Sequence, residues 1–204
     1  AVVMSTYNGE PYLEEQVQSI LGQLPAEGWL LVRDDGSRDG TVRKLQALDD
    51  PRVRILAGEN VGYSRSFLTL LSSVPPETEM VMLSDQDDVW LPGKIQRAWD
   101  HLARVEGPGL YCSRQRLVDA ELRPISCSAP WPRGASFANA LAENIVTGCT
   151  AALNAPALRL VTRCGDASRI QFHDWWMYLV VSAFGTVITD PEPTLLYRQH
   201  GRNV

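Results

Sequence analysis

Apolar and polar positions in the first half of the chain alternate between two kinds of segment. Short apolar runs that end in small or acidic residues predict buried strands, and they lie at residues 1–5, 29–32, 53–56 and 80–83. Apolar residues at helical spacing between these runs predict helices at residues 11–24, 39–48 and 62–71, and from Pro92 to about residue 105. Four strand–helix repeats in succession favour an α/β fold, with a mostly parallel central sheet and helices on both faces.

The pattern changes beyond about residue 106. Residues 107–134 are rich in proline and glycine. Two short strands are predicted at residues 111–118 and 148–153, and two helices at residues 137–143 and 172–184. The sequence contains no internal repeat and no low-complexity tract. We interpret residues 1–204 as a single domain whose second half completes the same sheet.

Composition and charge narrow the class of protein. The 204 residues carry a formal net charge of −5, with 45% hydrophobic and 21% charged residues. These values are typical of a globular domain and exclude an overall basic surface for nucleic acid. No basic segment precedes an apolar run at the start, and the apolar run at residues 175–185 is shorter than the roughly 20 residues that span a bilayer. We therefore expect a cytoplasmic protein.

The cysteine pattern indicates neither a metal site nor a disulfide framework. The four cysteines form no C-x-x-C pair and have no histidine at zinc-finger spacing; they are Cys112, Cys127, Cys149 and Cys164. We predict that they are small buried thiols in a reducing, cytosolic setting.

Two carboxylates follow the fourth predicted strand. Asp85 and Asp87 lie two residues apart at a strand end, which is where ligands bind in parallel α/β sheets. Such a pair can share a hard divalent cation, Mg²⁺ or Mn²⁺, which bridges to phosphate oxygens and stabilises a diphosphate leaving group. The alternative is a solvated turn that caps the next helix.

Polar residues also follow the first two predicted strands. Asp34 and Asp35 can accept hydrogen bonds from a pyrimidine N–H or from ribose hydroxyls, but the same sequence suits an Asx turn and a helix cap. Tyr7 can stack on a nucleobase. The chain has no G-x-G-x-x-G after the first strand and no G-x-x-x-x-G-K-[ST], so the dinucleotide-binding and P-loop classes lose their main support.

Two residues of the second half are candidates for chemistry. Asp174 opens an apolar helical segment and is a candidate general base, the alternative being the N-cap of that helix. His200 follows a strand-like segment, and a lone histidine there is either structural or part of a site.

Six segments together resemble the family 2 glycosyltransferases, which have the GT-A fold of nucleotide-diphospho-sugar transferases. In chain order they are STYNGE (5–10), RDDGSRDGT (33–41), NVGYSR (60–65), LSDQDDVW (83–90), HDWW (173–176) and YRQHGRNV (197–204). Each segment alone is a weak signal, whereas six in this order and spacing are specific. The SDQDDxW form and the YRQHG ending are most similar to bacterial rhamnosyltransferase-type members, which build cell-surface polysaccharides.

The resemblance implies that residues 1–105 are a nucleotide-binding half. The residues expected to bind the nucleotide are Thr6, Tyr7, Asn8, Asp34, Asp35, Arg65 and Asp85. Among these, Tyr7 would stack on the base and the aspartates after the second strand would hold the base and ribose. Arg65 would lie near the donor nucleotide or its diphosphate.

Residues 106–204 are correspondingly expected to be an acceptor-binding half. The implied metal ligands are Asp85, Asp87 and His200, with Asp87 in direct contact with the cation and His200 reaching the cation or the diphosphate from the far side. Asp174 would be the base that takes the acceptor proton. Asp88 adds a third carboxylate, which leaves open which pair binds, and His173 stands where many relatives carry an acidic residue.

The activity implied by the resemblance is that of an inverting glycosyltransferase. Its donor would be a dTDP- or UDP-sugar, with rhamnose as one candidate sugar, and its acceptor a saccharide or lipid-linked saccharide. A divalent cation, Mn²⁺ or Mg²⁺, would be the cofactor, and nucleic acid is not an expected partner.

Two other functions remain open as alternatives. A sugar nucleotidyltransferase would share the sheet and the metal, but such enzymes usually open with a glycine- and arginine-rich loop before a lysine, and residues 6–13 contain neither arginine nor lysine. A non-catalytic nucleotide-sugar binding partner of an assembly complex would not need the expected catalytic residues, all of which are present.

The two ends of the sequence suggest an excised domain. It starts at Ala1 without a methionine and ends where members of the family usually continue. This leaves open whether the acceptor-binding half is complete, whether a membrane anchor or tail lies outside the sequence, and whether the protein associates peripherally with the inner face of the cell membrane.

Overall fold

The computed structural model describes residues 1–163 and 167–201. Within these ranges nine strands form one sheet. They are β1 (Val2–Thr6), β2 (Leu30–Asp34), β3 (Val53–Ala57), β4 (Met80–Ser84), β5 (Val89–Trp90), β6 (Gly109–Val118), β7 (Pro124–Cys127), β8 (Ala152–Asn154) and β9 (Thr186–Arg198). The order across the sheet is β3-β2-β1-β4-β8-β6-β9-β5, and β7 pairs separately with β6.

Helices alternate with the strands along the chain. They are α1 (Leu13–Leu21), α2 (Thr41–Gln46), α3 (Tyr63–Ser73), α4 (Lys94–Leu102), α5 (Phe137–Ala140), α6 (Ala155–Val161) and α7 (His173–Phe184), with 3₁₀ turns at Gly148–Thr150 and Ala167–Arg169. The four strand–helix repeats predicted in the first half are all present. None of the helices in the described ranges combines the length and apolar content needed to cross a bilayer.

Two local expectations are wrong, and β5, β7 and α6 were not predicted. Residues 148–150 form a 3₁₀ turn, so only β8 remains of the strand expected there. The first helix begins at Leu13, two residues after Pro11. Strand β5 was not predicted, because its two residues pair with β9 from the other end of the chain, and no local pattern encodes that contact.

The sheet has a parallel half and a mixed half. Strands β3, β2, β1 and β4 run parallel to one another. Strand β8 pairs antiparallel with both β4 and β6, and β6 runs parallel to β9. The second half of the chain therefore continues the sheet of the first half, with β8 as the connecting strand.

Helices cover both faces of this sheet. On β1, Val2 and Met4 pack into a core shared with α1, α2 and α4, whereas Val3 packs into the opposite core with α3, α5, α6 and α7. Successive residues of a strand point to opposite faces. A strand that is buried on both faces is therefore a nearly continuous apolar run, which is the pattern that residues 1–4 and 80–83 display.

The expectation of buried thiols is correct for two cysteines and wrong for a third. Cys112 and Cys149 are buried, but Cys127 is exposed. Its strand, β7, has all four residues exposed because it pairs with β6 outside the main strand order. Cys164 lies outside the described residues.

Candidate active site

A cleft opens at the carboxyl ends of β1, β2 and β4, at the edge of the sheet where ligands bind in parallel α/β folds. Its volume is about 540 Å³, which is within the range of small-molecule sites. The lining residues are Ser5, Tyr7, Asp35, Asn60, Gly62, Tyr63, Phe67, Asp85, Gln86, Asp87, Thr147, Gly148, Phe172, His173, Asp174 and Tyr197. They come from both halves of the chain, so the cleft depends on the way the two halves share one sheet.

The loop after β4 concentrates negative charge in this cleft. Asp85 and Asp87 line it, and Asp88 is fully buried. Burial and the charges of neighbouring aspartates raise the pKa values of Asp85 and Asp88. The Oδ2 atom of Asp88 is buried without a hydrogen-bond partner among the described residues. Protein groups therefore neutralise this loop only in part.

The end of β9 holds the acidic loop in place. The backbone N–H of Arg198 donates to Oδ1 of Asp88 at 3.2 Å, and its Nε donates to the carbonyl of Asp87 at 2.8 Å. Nε2 of His200 lies 2.8 Å from Oδ2 of Asp87, and the His200 ring stacks on Tyr12 with 4.7 Å between ring centroids. The fold thus brings the C-terminal segment to the acidic loop, as a site shared between them requires.

The acidic loop fits a hard divalent cation. One ligand atom from each of Asp85, Asp88 and Cys149 lies within 4.8 Å of the other two. Carboxylate oxygens are the ligands that Mg²⁺ and Mn²⁺ prefer. Burial raises the pKa of Cys149 and keeps it a neutral thiol, which is a poor metal ligand. A cation here would stabilise the ionised aspartates.

Asp34 shapes the loop that follows β2. Its Oδ2 accepts hydrogen bonds from the backbone N–H groups of Gly36 at 3.1 Å and Ser37 at 2.9 Å, which is the Asx turn that the sequence also allows. Gly36 has a φ of 81°, a conformation that favours glycine. The Thr6 hydroxyl donates to Oδ1 of Asp34 at 3.2 Å. Thr6 and Asp34 are buried and are not among the residues that line the cleft, so the contacts they make join β1 to the β2 loop.

Asp35 connects the same loop to the beginning of α3. Its carboxylate accepts hydrogen bonds from the backbone N–H groups of Val61 and Gly62, both at 2.9 Å, and forms a buried ion pair with Arg33. Asp35 also lines the cleft. Unlike Asp34, it can therefore contact a ligand as well as support the loop.

Tyr7 lies at the rim of the cleft with 46% of its surface exposed. Its backbone is held by the side-chain amide of Gln86, which accepts from the Tyr7 N–H at 2.9 Å and donates to the Tyr7 carbonyl at 3.0 Å. An exposed ring on a fixed backbone is suited to stacking.

Asn8 and Arg65 are not among the cleft-lining residues. Asn8 has a φ of 49°, and its Oδ1 accepts from the Arg38 N–H at 2.9 Å, so it connects two loops. Arg65 is exposed on α3, with Nη2 at 3.5 Å from the carbonyl of Ser168. The assignment of both residues to the nucleotide stays a prediction that no contact in the cleft supports.

Asp174 lies in the first turn of α7 and lines the cleft. The helix already begins at His173, so Asp174 is not its N-cap. Its Oδ1 accepts from the Trp175 N–H at 2.7 Å. Burial raises the pKa of Asp174, and the charge of Asp174 contributes to the raised pKa of Asp85. A partly buried carboxylate with a raised pKa in a cleft is suited to act as a general base.

The structure adds residues that the sequence did not assign to the site, among them the cleft-lining Gln86, Gly148, His173 and Tyr197, and Arg198, which holds the acidic loop. Most belong to motif segments, but their roles depend on partners that are distant in the chain. Gln86, for example, bonds Tyr7, which is 79 positions away. The position of Gln86 between two candidate metal ligands was the one available signal. Residues 202–204 of the C-terminal motif lie outside the described residues.

The chain is similar to a known protein family and to individual members of it. The model of Glycosyl transferase family 2 matches residues 1–159. The dTDP-rhamnosyl transferase RfbG of Shigella flexneri is 28% identical to this chain over 221 residues, covering 98% of the chain and 72% of the relative.

Solved structures with the same fold include two glycosyltransferases. Staphylococcus aureus TarS 1-349 in complex with UDP-GlcNAc has a TM-score of 0.73 at 16% identity, covering 99% of this chain and 59% of that one. The mannosyltransferase PcManGT from Pyrobaculum calidifontis, in complex with GDP-Man and Mn²⁺, has a TM-score of 0.70 at 22% identity. The match covers 98% of this chain and 57% of that one. They confirm the predicted GT-A fold, and the chain spans less than 60% of either structure.

Proposed function

The chain belongs to glycosyl transferase family 2, and we propose that it is the catalytic domain of an inverting glycosyltransferase. One observation carries the proposal: Asp174, whose pKa is raised by burial, lines the same cleft as Asp85 and Asp87. Displacement at an anomeric carbon needs a base for the acceptor and a site for the leaving group within reach of one another. In this proposal Asp174 would be the base, and the acidic loop would be the site for the leaving group.

The proposed reaction is a single displacement. The oxygen of an acceptor hydroxyl forms a bond to the anomeric carbon while Asp174 accepts its proton. The bond from the anomeric carbon to the diphosphate oxygen breaks on the opposite side, and its electron pair leaves with the nucleoside diphosphate. Proton transfer to a positioned base contributes roughly 10²–10⁴ in rate.

The acidic loop would serve the leaving group. Asp85 and Asp87 would hold Mn²⁺ or Mg²⁺, which when bound supplies charge stabilisation for the departing diphosphate. His200, 2.8 Å from Asp87, would complete or orient the ligand set. Tyr7 and Asp35, which line the cleft at the ends of β1 and β2, would contact the nucleoside.

For the substrates we propose a dTDP- or UDP-sugar donor and a saccharide or lipid-linked saccharide acceptor. Rhamnose is the first sugar to test, because one relative that aligns with 98% of this chain is named a dTDP-rhamnosyl transferase. A lipid-linked acceptor would place the reaction in the cytoplasm at the inner face of the cell membrane, within the synthesis of a cell-surface polysaccharide.

Release of nucleoside diphosphate tests the proposal directly. The purified chain is incubated with dTDP-rhamnose, UDP-GlcNAc or GDP-mannose, with Mn²⁺ or with EDTA, in the presence and absence of saccharide acceptors. We expect release from one donor, loss of release with EDTA, and loss of transfer in Asp174→Asn. The matched control is Asp100→Asn, because Asp100 is exposed on α4 outside the cleft. A chain that binds a nucleotide sugar but releases none would contradict the proposal and favour a non-catalytic binding domain.

A further inference from the structure

His173 is a buried histidine in the wall of the candidate active site. It is 4% exposed, it lines the cleft next to Asp174, and both Nδ1 and Nε2 lack a hydrogen-bond partner among residues 1–163 and 167–201. Buried polar atoms in folded proteins are nearly always hydrogen-bonded, because an unbonded one costs stability. Neither nitrogen has exposed surface in the cleft as the structure shows it, so a ligand in the cleft can supply the missing bond only after a small shift of the ring or of Gly148.

Aromatic side chains and a glycine pack closely around the His173 ring. The imidazole stacks on Phe67 with 4.3 Å between ring centroids and meets the edge of Tyr63 at 6.0 Å. A Cβ atom added to Gly148 would lie 2.7 Å from Nε2, so glycine is needed there for the ring to fit. The ring thus packs against aromatic neighbours, and its nitrogens form no hydrogen bond among the described residues.

The state of the ring defines the class of ligand. Burial lowers the pKa of His173 to about 3, so the imidazole is neutral at physiological pH and offers one N–H donor and one acceptor nitrogen. A sugar hydroxyl is likewise both a donor and an acceptor. A phosphate group is a weaker match, because it only accepts and is bound best by cationic donors.

We propose that His173 hydrogen-bonds a hydroxyl group of the sugar that lies beside Asp174, and that it thereby selects among sugars. The inference rests on the proposed function and deepens it. The hydroxyl belongs either to the donor sugar or to the acceptor sugar, and the chemistry of the contact is the same in both cases. His173 precedes the general base by one residue, so a sugar bonded to His173 is positioned against Asp174.

Three substitutions of His173 distinguish a role in binding sugar from a role in packing alone. His173→Phe keeps a stacked aromatic ring and removes both nitrogens, His173→Leu removes them with less bulk beside Gly148, and His173→Gln restores a donor and an acceptor. We measure Tm without ligand, kcat and KM for the donor and for the acceptor, and donor hydrolysis without acceptor. His101→Phe is the matched control, because His101 lies on α4 near Asp190 and not in the cleft.

The expected result is a split between stability and activity. At least one of the Phe and Leu variants should keep or raise Tm, because it removes unbonded polar atoms, while its kcat/KM falls by about 3- to 10-fold, as expected for one hydrogen bond. His173→Gln should recover part of that loss. A rise confined to the acceptor KM, with unchanged donor hydrolysis, assigns the hydroxyl to the acceptor. A loss of hydrolysis as well, with a raised donor KM, assigns it to the donor.

Other outcomes overturn the inference. If the Phe and Leu variants match the wild-type kinetics within error, His173 is a packing residue and nothing more. If Tm and kcat fall together in all three variants with both KM values unchanged, the role is also structural. These results differ from a failure of the proposed function, in which the wild-type chain itself consumes no nucleotide sugar.

Discussion

The side-chain amide of Gln86 forms two hydrogen bonds with the main chain of Tyr7, at 2.9 Å and 3.0 Å. Gln86 thereby links the loop that follows β4 to the loop that follows β1. Because Gln86 lies between Asp85 and Asp87 in the chain, it connects the candidate metal ligands to the candidate base-stacking residue. The position of one loop therefore constrains the position of the other.

Gln86→Ala should weaken nucleotide binding without unfolding the protein. The two lost hydrogen bonds lie at an exposed position, so Tm should change little, whereas nucleoside diphosphate affinity in Mn²⁺ should fall by about 3- to 10-fold. Calorimetric titration measures the affinity, and Gln96→Ala is the control because Gln96 bonds Asp100 on the exposed side of α4. Unchanged affinity in Gln86→Ala would mean that the two loops are positioned independently.

Tyr7→Ala should weaken the binding of the free nucleoside diphosphate and of the nucleotide sugar by the same factor. Stacking on a base is worth about 1–3 kcal/mol in nucleic-acid complexes, and the Gln86 contacts survive because they use only the backbone of Tyr7. Tyr7→Phe, which keeps the ring, should bind as the wild type does. Equal affinities for all three proteins would show that the ring faces solvent in the complex.

Asp174→Asn should lose about 10² or more in kcat while keeping donor affinity. The substitution retains an oxygen for the Trp175 N–H, which is now bonded at 2.7 Å. It also removes a carboxylate whose ionised form is disfavoured by burial, so Tm at pH 7 should not fall. Kinetics and a thermal melt measure the two effects, and wild-type turnover in the variant would remove Asp174 from the mechanism.

The acid limb of the pH–rate profile should report Asp174. The base must be ionised, so activity is lost as pH falls through its pKa, and burial places that pKa above the usual 3.8. The loss should therefore begin at a higher pH than for an exposed aspartate. Profiles of kcat/KM against pH for the wild type and for Asp174→Asn test this. The residual activity of the variant should lack the acid limb. An acid limb that both proteins share would belong to another group.

Asp87→Ala should uncouple metal binding from nucleotide binding. If a cation bridges the loop and the diphosphate, each should raise the affinity of the other by the same factor. Titration of nucleoside diphosphate with Mn²⁺ and with chelator, on the wild type, on Asp87→Ala and on Asp100→Ala as a control, measures this coupling. Equal affinities throughout would refute a metal role and favour a solvated turn. Coupling that survives in Asp87→Ala would move the site to Asp85 and Asp88, whose carboxylates lie close together.

The local pattern of the sequence determined the fold class and the general position of the site. Strands that are buried on both faces are nearly continuous apolar runs, and this made β1, β2 and β4 recognisable. Parallel strands end at the same edge of a sheet, so the residues that follow them converge there. Those two regularities place Tyr7, Asp35 and Asp85 together, and they do so without any knowledge of side-chain packing.

Only the tertiary structure decided which individual side chains face the cleft. Asp34 uses its oxygens in its own loop and Arg65 lies on an exposed part of α3, although each belongs to a motif that predicted a ligand contact. The ring of His173, whose nitrogens have no hydrogen-bond partner among the described residues, packs against Phe67 and Gly148, which are distant in the chain. Whether a polar atom is already bonded depends on the partners that packing brings within about 3 Å, and no periodicity in the sequence encodes those partners.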